Sequence, residues 1–195
     1  MGHSQADKAR SHQRILDEAA EQIRRDGLDS LGVAALMKRA GLTHGGFYAH
    51  FASRAALIDE ALEHALQAGE AHAIVAGGGK PRGFAAMIRS YLSRSHRDSP
   101  RTGCAIAALV SDVGRADAST RDVMSRHVDQ YIARMAESLG TRDEAAAMAA
   151  VSTVVGALAL SRVMTDPKRS DAMLRAAREH LLAMPTATDA RNAAD

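Results

Sequence analysis

The 195-residue sequence has no tryptophan, one cysteine and four prolines, and aromatic residues fill only 3% of it. A lone cysteine, Cys104, excludes an intramolecular disulfide framework and suits a reducing cytoplasm. Each proline (Pro81, Pro100, Pro167 and Pro185) stands where a helix can end. With so few rings, the core has to be built from Ala, Leu, Val and Met, and the 46% apolar content is enough to bury one. Such a composition, poor in β-branched runs, predicts an all-α protein.

Other absences narrow the function. The polar start, Met1 to Arg14, lacks the apolar stretch of a secretory signal, and Ala6 stands where a myristoylation motif needs Ser or Thr. The one long uncharged run, Ala145 to Ser161, covers about 17 residues, short of the roughly 20 of a membrane helix, so it reads as a buried or interface helix and no membrane partner is expected. Gly77-Gly-Gly-Lys80 lacks the spacing and the Ser/Thr of a phosphate-binding loop. No nucleophile–base pair is visible, and His96 and His127 lack the tight spacing of metal ligands. No enzyme activity, cofactor or metal is therefore expected. A net charge of +2 is too mild to mark a nucleic-acid binder by itself, and the basic first quarter also carries Asp7, Asp17, Glu18, Glu21, Asp26 and Asp29.

Apolar spacing organises the rest into about nine helices. Residues 1–8 read as disordered. An amphipathic helix follows from Ala9 to Arg25, then Val33–Arg39, Thr43–His50, and a longer helix capped by Ser53 with Leu57, Ile58, Ala61, Leu62, Ala65 and Leu66 on its buried stripe. The glycines before Pro81 end it. Further helices are expected at Phe84–His96, Cys104–Val113, Ser119–Leu139, from a Thr141 cap to Met164, and from a Ser170 cap to Met184, with a disordered tail from 185 to 195.

Residues 36–54 carry the most information. Leu36, Met37, Ala40, Leu42, Phe47 and Phe51 can meet in one small core, leaving Thr43, His44, Gly45, Gly46, Tyr48 and His50 to face outward. Two short helices joined by a tight glycine-containing turn form a helix-turn-helix, whose second helix enters the DNA major groove. The stretch Ala40-Gly-Leu-Thr-His-Gly-Gly-Phe-Tyr-Ala-His-Phe51, followed by Ser53-Arg-Ala-Ala-Leu57, resembles the tetracycline-repressor (TetR) family of bacterial transcription regulators. That family's pattern is roughly Ala-Gly-Val-Ser-Lys-Gly-Thr-Phe-Tyr-His-His-Phe, then Ser-Lys-Glu-Ala-Leu. The resemblance covers about the first 60 residues; beyond them only helix number and length agree.

The resemblance implies an N-terminal three-helix DNA-binding domain (1–54) and a C-terminal helical domain (55–184) that binds an effector and dimerises. It gives Thr43 a capping role and a phosphate contact, points His44 at base edges, lets the Gly45 backbone approach DNA, and places Tyr48, His50 and Arg54 at phosphates. Lys38 and Arg39 either touch the DNA backbone or solvate their helix. Departures are Gly32, where the family often has a Thr or Ser cap, together with Gly46 and Ala49; base readout then leans on His44 and DNA shape. The small-residue run 145–161, with 172–184, fits a four-helix interface in a homodimer that spans a pseudo-palindromic operator. Met87, Tyr91, Cys104, Met124, His127, Tyr131 and Met164 are candidates to line an effector pocket, with core packing as the alternative for each. The segment Gly103–Val113 is similar to the sensing-cysteine segment of electrophile-responsive members, the alternative being a buried inert thiol. A ligand- or electrophile-responsive repressor is the expectation. An activator, a small ligand carrier or enzyme, and a helical interaction module are the rivals.

Overall fold

A computed structural model describes residues 5–74, 83–99 and 101–184, which contain helices and no strand. In order they are α1 (Gln5–Asp26), a 3-10 turn (Leu28–Ser30), α2 (Val33–Arg39), a 3-10 segment (His44–Ala49), α3 (Arg54–Ile74), α4 (Phe84–Tyr91), α5 (Arg94–Arg97), α6 (Ala105–Val113), α7 (Ala118–Leu139), α8 (Glu144–Val163) and α9 (Pro167–Leu182). The all-α expectation holds. The glycine-rich loop at 77–81 and the tail at 185–195 lie outside the described residues. Residues 5–8 are helical rather than disordered, in a first turn where Asp7 pairs with Arg10.

The amphipathic α1 buries Ile15, Ala19, Ala20 and Ile23, and α3 buries the expected Leu57, Ala61, Leu62, Ala65 and Leu66, with Ile58 half-buried. These two helices pack on each other, the alanines allowing their backbones close. Each buried Leu or Ile contributes about 1.5–3 kcal/mol relative to exposure. Beyond α3, the helices α7, α8 and α9 pack side by side in sequence, and α6 lies between α1, α3, α7 and α8.

Three expected boundaries move, each for a capping reason. The helix expected over 84–96 breaks at Leu92, because the Ser93 hydroxyl accepts the His96 N–H at 3.2 Å and starts α5 afresh. Asp143, not Thr141, caps α8, accepting from Ala145 and Ala146, while Thr141 accepts the Asp143 N–H one step earlier. Asp166 caps α9 with Pro167 in the first turn; Ser170 lies inside the helix and donates to Ser161 O at 2.6 Å. A carboxylate at the positive end of the helix gains from the dipole as well as from the hydrogen bond. At 20 residues, α8 contains the uncharged run 145–161 and is long and apolar enough by composition to cross a membrane; its buried face packs against α6, α7 and α9.

The turn at 28–30, just ahead of α2, is gripped from both halves of the molecule. Gly27 has φ +86°, and Asp112 at the end of α6 accepts the Leu28 N–H at 3.3 Å. From the start of α3, Arg54 Nε donates to Leu31 O at 3.0 Å, and Gln22 Nε2 reaches Ser30 O at 2.6 Å. A Cβ at Gly27 would stand 2.6 Å from Asp112 Oδ2, on a backbone conformation that L-residues avoid. Gly27→Ala is predicted to lower stability by about 1–3 kcal/mol in urea unfolding. An unchanged midpoint would show that the turn carries no such constraint.

Candidate nucleic-acid interface

The expected small core forms as read: Leu36, Met37, Ala40, Phe47 and Phe51 are buried, Leu42 is half-buried, and the rings of Phe47 and Phe51 stack at 5.6 Å. A glycine ends α2. Gly41, at φ +73°, sends its N–H to Lys38 O at 3.1 Å while Leu42 N–H reaches Met37 O at 2.8 Å. This paired closure at a left-handed residue turns the chain sharply into the next segment.

That segment, His44–Ala49, is a 3-10 helix. Its i+3 bonds include Gly46 N–H to Thr43 O at 3.0 Å and His50 N–H to Phe47 O at 2.9 Å. Two adjacent glycines have poor α-propensity, and a 3-10 helix rises about 2.0 Å per residue, so the reading segment is narrower and longer than an α-helix. Thr43 stands at the N-cap, but its hydroxyl makes no capping bond, contrary to the expected role. Thr43, His44, Gly45, Tyr48 and Ala49 are exposed and Gly46 is half-buried. Tyr48 is 74% exposed, its ring edge-on to Phe47 at 5.2 Å. Nothing lies within 4 Å of a Cβ built on Gly45, which leaves that backbone open to close approach.

These outward residues, set on a closed apolar face after a Gly41 turn, have the geometry of a helix-turn-helix reading head. Residues 15–61 match the sequence profile described as bacterial regulatory proteins, tetR family. The match takes in most of α1, α2, the 3-10 segment and the start of α3, and this part of the chain is similar to that family. Solved structures with the same fold include a TetR-family regulator from Cytophaga hutchinsonii (TM-score 0.72, 16% identity, covering 95% of this chain and 98% of that one). Others are a TetR regulator from Chloroflexus aurantiacus (0.73, 20%, 90% and 94%) and the reduced form of Escherichia coli NemR (0.68, 18%, 88% and 95%). A comparison with curated proteins gives no significant match. At these identities the likeness to the solved structures is one of fold.

Around this helix-turn-helix the cations sort themselves. Lys38 is exposed at the end of α2, whereas Arg39 turns back to Glu18 at 3.3 Å and to Gln22. Arg54, an expected phosphate contact, has Nε on Leu31 O and Nη2 within 3.5 Å of Leu28 O, so it also holds the turn before α2. Acidic residues of α1 are largely taken up internally: Asp17 by His64 at 2.7 Å, Glu21 by Arg101, and Asp26 by Arg25 at 2.7 Å. The sequence reading missed His12. Its ring stacks on Phe51 at 4.7 Å, and its Nε2 meets Glu60 at 2.9 Å. Only the helical spacing of a polar residue beside Ile15 hinted at that contact.

His50 closes the reading segment half-buried, with Nδ1 enclosed and unbonded, so Nε2 is the atom left for a phosphate. Burial, then the neighbouring His12 ring and Lys8, hold its pKa below the usual histidine value.

Of the seven effector candidates, Met87, Tyr91, Cys104, Met124, His127 and Tyr131 are buried and Met164 is half-buried. Tyr91 and Tyr131 stack at 6.2 Å. Burial foremost, with the adjoining Cys104 thiol, drives the Tyr91 hydroxyl well above its ordinary pKa. Tyr91 lines a cavity of about 190 Å³ with Ser90, Ser93, Ser95, His96, Ser99, Thr102 and Gly103, whereas Met164 lines a separate one beside Arg97 and Arg162. His96 links the two sides of the first cavity: its Nδ1 bonds Tyr91 O at 2.7 Å, and its Nε2 accepts the Cys104 N–H at 3.0 Å. Both ring nitrogens are committed, so His96 is not placed to bind a metal. Cys104 is the N-cap of α6, its sulfur accepting the Ala107 N–H at 3.5 Å.

The lowered His50 pKa fixes the sign of a pH effect. Its folded pKa lies below the unfolded value, so His50 supports the free protein's stability above about pH 6.5 and that support is lost as pH falls. A phosphate favours the protonated ring, so DNA affinity should move the opposite way, rising between about pH 7.5 and about pH 5.5. Fluorescence anisotropy on duplex DNA should show a smaller rise for His50→Gln; an identical pH profile would remove His50 from the interface.

Proposed function

We propose that this protein is a TetR-family transcriptional regulator, a homodimeric repressor of the cytoplasm with no enzymatic activity. It binds a pseudo-palindromic operator through residues 1–54 and is released when the domain over 55–184 takes up a small molecule or reacts with an electrophile. The observation that carries the reading is the outward set Thr43, His44, Gly45 and Tyr48 on a segment whose other face is sealed by Phe47 and Phe51. Tyr48, His50 and Lys38 serve phosphates, His44 meets base edges, and Gly45 and Gly46 let the backbone close on the groove. Arg54 adds a cation at the start of α3 while keeping the turn before α2 in place.

A second copy is supported by one continuous face of α8. Ala145, Met148, Ala149, Ser152, Leu160 and Val163 are exposed at helical spacing, Leu160 by 52% and Val163 by 75%, and a Cβ on Gly156 would meet nothing within 4 Å. Small residues along such a stripe let two helices approach closely, and Leu160 and Val163 supply apolar area that water otherwise covers. The two-fold then sets the reading heads about one DNA turn apart. For the input, the buried Met87, Tyr91, Met124, His127 and Tyr131 form a mainly apolar cluster that an effector would have to open, while Met164 borders a separate cavity. Cys104 favours the electrophile route: its sulfur caps the start of α6, beside Tyr91 and the cavity bounded by Gly103. Release requires that the effector bind the DNA-incompetent arrangement of α3 better than the competent one.

The test is anisotropy on the DNA adjoining the protein's own gene. Sequence-selective affinity that falls steeply with salt is expected, and no binding even at low salt would overturn the reading. Leu160→Glu with Val163→Glu should give a monomer and weaken operator binding about 100-fold or more, since each half-site is then bound alone. A variant that stays dimeric would move the interface elsewhere. Cys104→Ser should abolish release by electrophiles while retaining operator affinity.

A further inference from the structure

Segment 101–104 leads into α6 and closes the cavity beside Tyr91 and His96, with Thr102 and Gly103 in its wall. It is tied to α1 and α3 at three points. Arg24, in the last turn of α1, sends Nε to the Arg101 carbonyl at 2.6 Å, while its Nη1 donates to the Ala65 carbonyl of α3 at 3.2 Å. The Arg101 side chain returns to α1, its Nε on Glu21 Oε1 at 2.6 Å. Gly103 O lies against the buried Gly69 of α3, where an added Cβ would stand 2.9 Å from it.

Two of these ties meet on one turn of α3. In an α-helix Ala65 O accepts the Gly69 N–H, so the carbonyl taken by Arg24 and the glycine touched by Gly103 share a hydrogen-bonded turn. Arg24 is half-buried, and its acceptors are two main-chain carbonyls on separate elements. Burial lowers its pKa, and Glu21, which is bonded to Arg101, only partly restores it. A guanidinium fork reaches two divergent acceptors at once, whereas the compact ammonium of a lysine does so less well. What this clamp holds leads to the reading head. Three residues after Arg24 comes Gly27, then the 28–30 turn, where Asp112 at the far end of α6 accepts the Leu28 N–H. Residues 24–28 are therefore gripped from both ends of α6.

We infer that Arg24 is a positioning residue that couples segment 101–104 to the turn ahead of α2. While Arg24 holds both carbonyls, α1, α3 and the segment keep one register. When the segment leaves α3, Arg24 loses the Arg101 carbonyl and Glu21 loses the Arg101 side chain. Arg24 then pairs with Glu21, three residues before it on the same helix, and the end of α1 is released. A molecule filling the cavity at Thr102 and Gly103, or an adduct on Cys104, would drive that change; this consequence rests on the effector-responsive reading above. The coupling itself is a property of the free protein, an equilibrium that each end biases.

Hydrogen exchange of the full chain, without DNA or ligand, tests the clamp. Gly69→Ala pries segment 101–104 from α3, although alanine by itself favours a helix. It should speed amide exchange over residues 24–31 at least about ten-fold, and by more than in α8 or α9. Arg24→Met, which keeps the alkyl stem and removes the donors, should do the same. The double variant should exchange there no faster than the faster single variant, because both changes open one clamp. A contribution to bulk stability alone would instead multiply the two effects and raise exchange in α8 and α9 by the same factor. Unchanged exchange over 24–31 in either single variant, or multiplied effects in the pair, would overturn the inference. Arg24→Lys, with the charge but not the fork, takes the place of Arg24→Met in the cycle if the latter does not fold. DNA anisotropy is a separate readout: a wild type that binds no operator removes the repressor reading and leaves the exchange result standing.

Discussion

The seam between α1 and α3 is the contact on which the other parts depend. Alanines at 19, 20, 61 and 65 bring the two helices close, and Ile15, Ile23, Leu57 and Leu62 close the space around them. Everything proposed to touch DNA is attached to one side of this seam: the 28–30 turn follows α1, α2 and the 3-10 segment follow it, and Phe51 delivers the chain to α3. His12–Glu60, Asp17–His64 and Gln13 lace the exposed edge. Surface pairs of this kind contribute little stability individually, so the registration of the seam comes mainly from packing.

Much of the fold could be read from spacing, because spacing is what burial selects. The α3 stripe, the α2 limits and the small core around Phe47 all follow from apolar residues repeating at helical intervals. Helix starts were harder to read. Thr141 and Ser170 are reasonable caps by residue type, but Asp143 and Asp166 win because a carboxylate also interacts with the helix dipole, a difference of degree that composition does not express. The break at Leu92 depends on a serine hydroxyl choosing a neighbouring N–H over solvent.

At the reading head, the identity of the outward residues was legible and their geometry was not. Gly45 and Gly46 were visible as small residues, but their effect on the helix type comes from hydrogen-bond closure at Thr43 and Phe47. Arg54 was legible as a cation at a helix start; its bonds to the carbonyls before α2 join residues 23 or more apart in sequence and have no local signature. Asp112 is similar. Nothing near it in sequence indicates that it meets Leu28, and only the tertiary fold brings the end of α6 to the turn that positions α2.

One bridge, that of His96 between Tyr91 and Cys104, has a chemical corollary. Because Nε2 accepts an amide N–H, the ring must be neutral with its proton on Nδ1, donated to the Tyr91 carbonyl. Adding a second proton would set N–H against N–H. The imidazole is therefore a tautomer lock: the joint between the end of α4 and the beginning of α6 holds only while the ring carries a single proton. Acidification would loosen the backbone that holds the thiol, and it would do so without any ligand entering the protein.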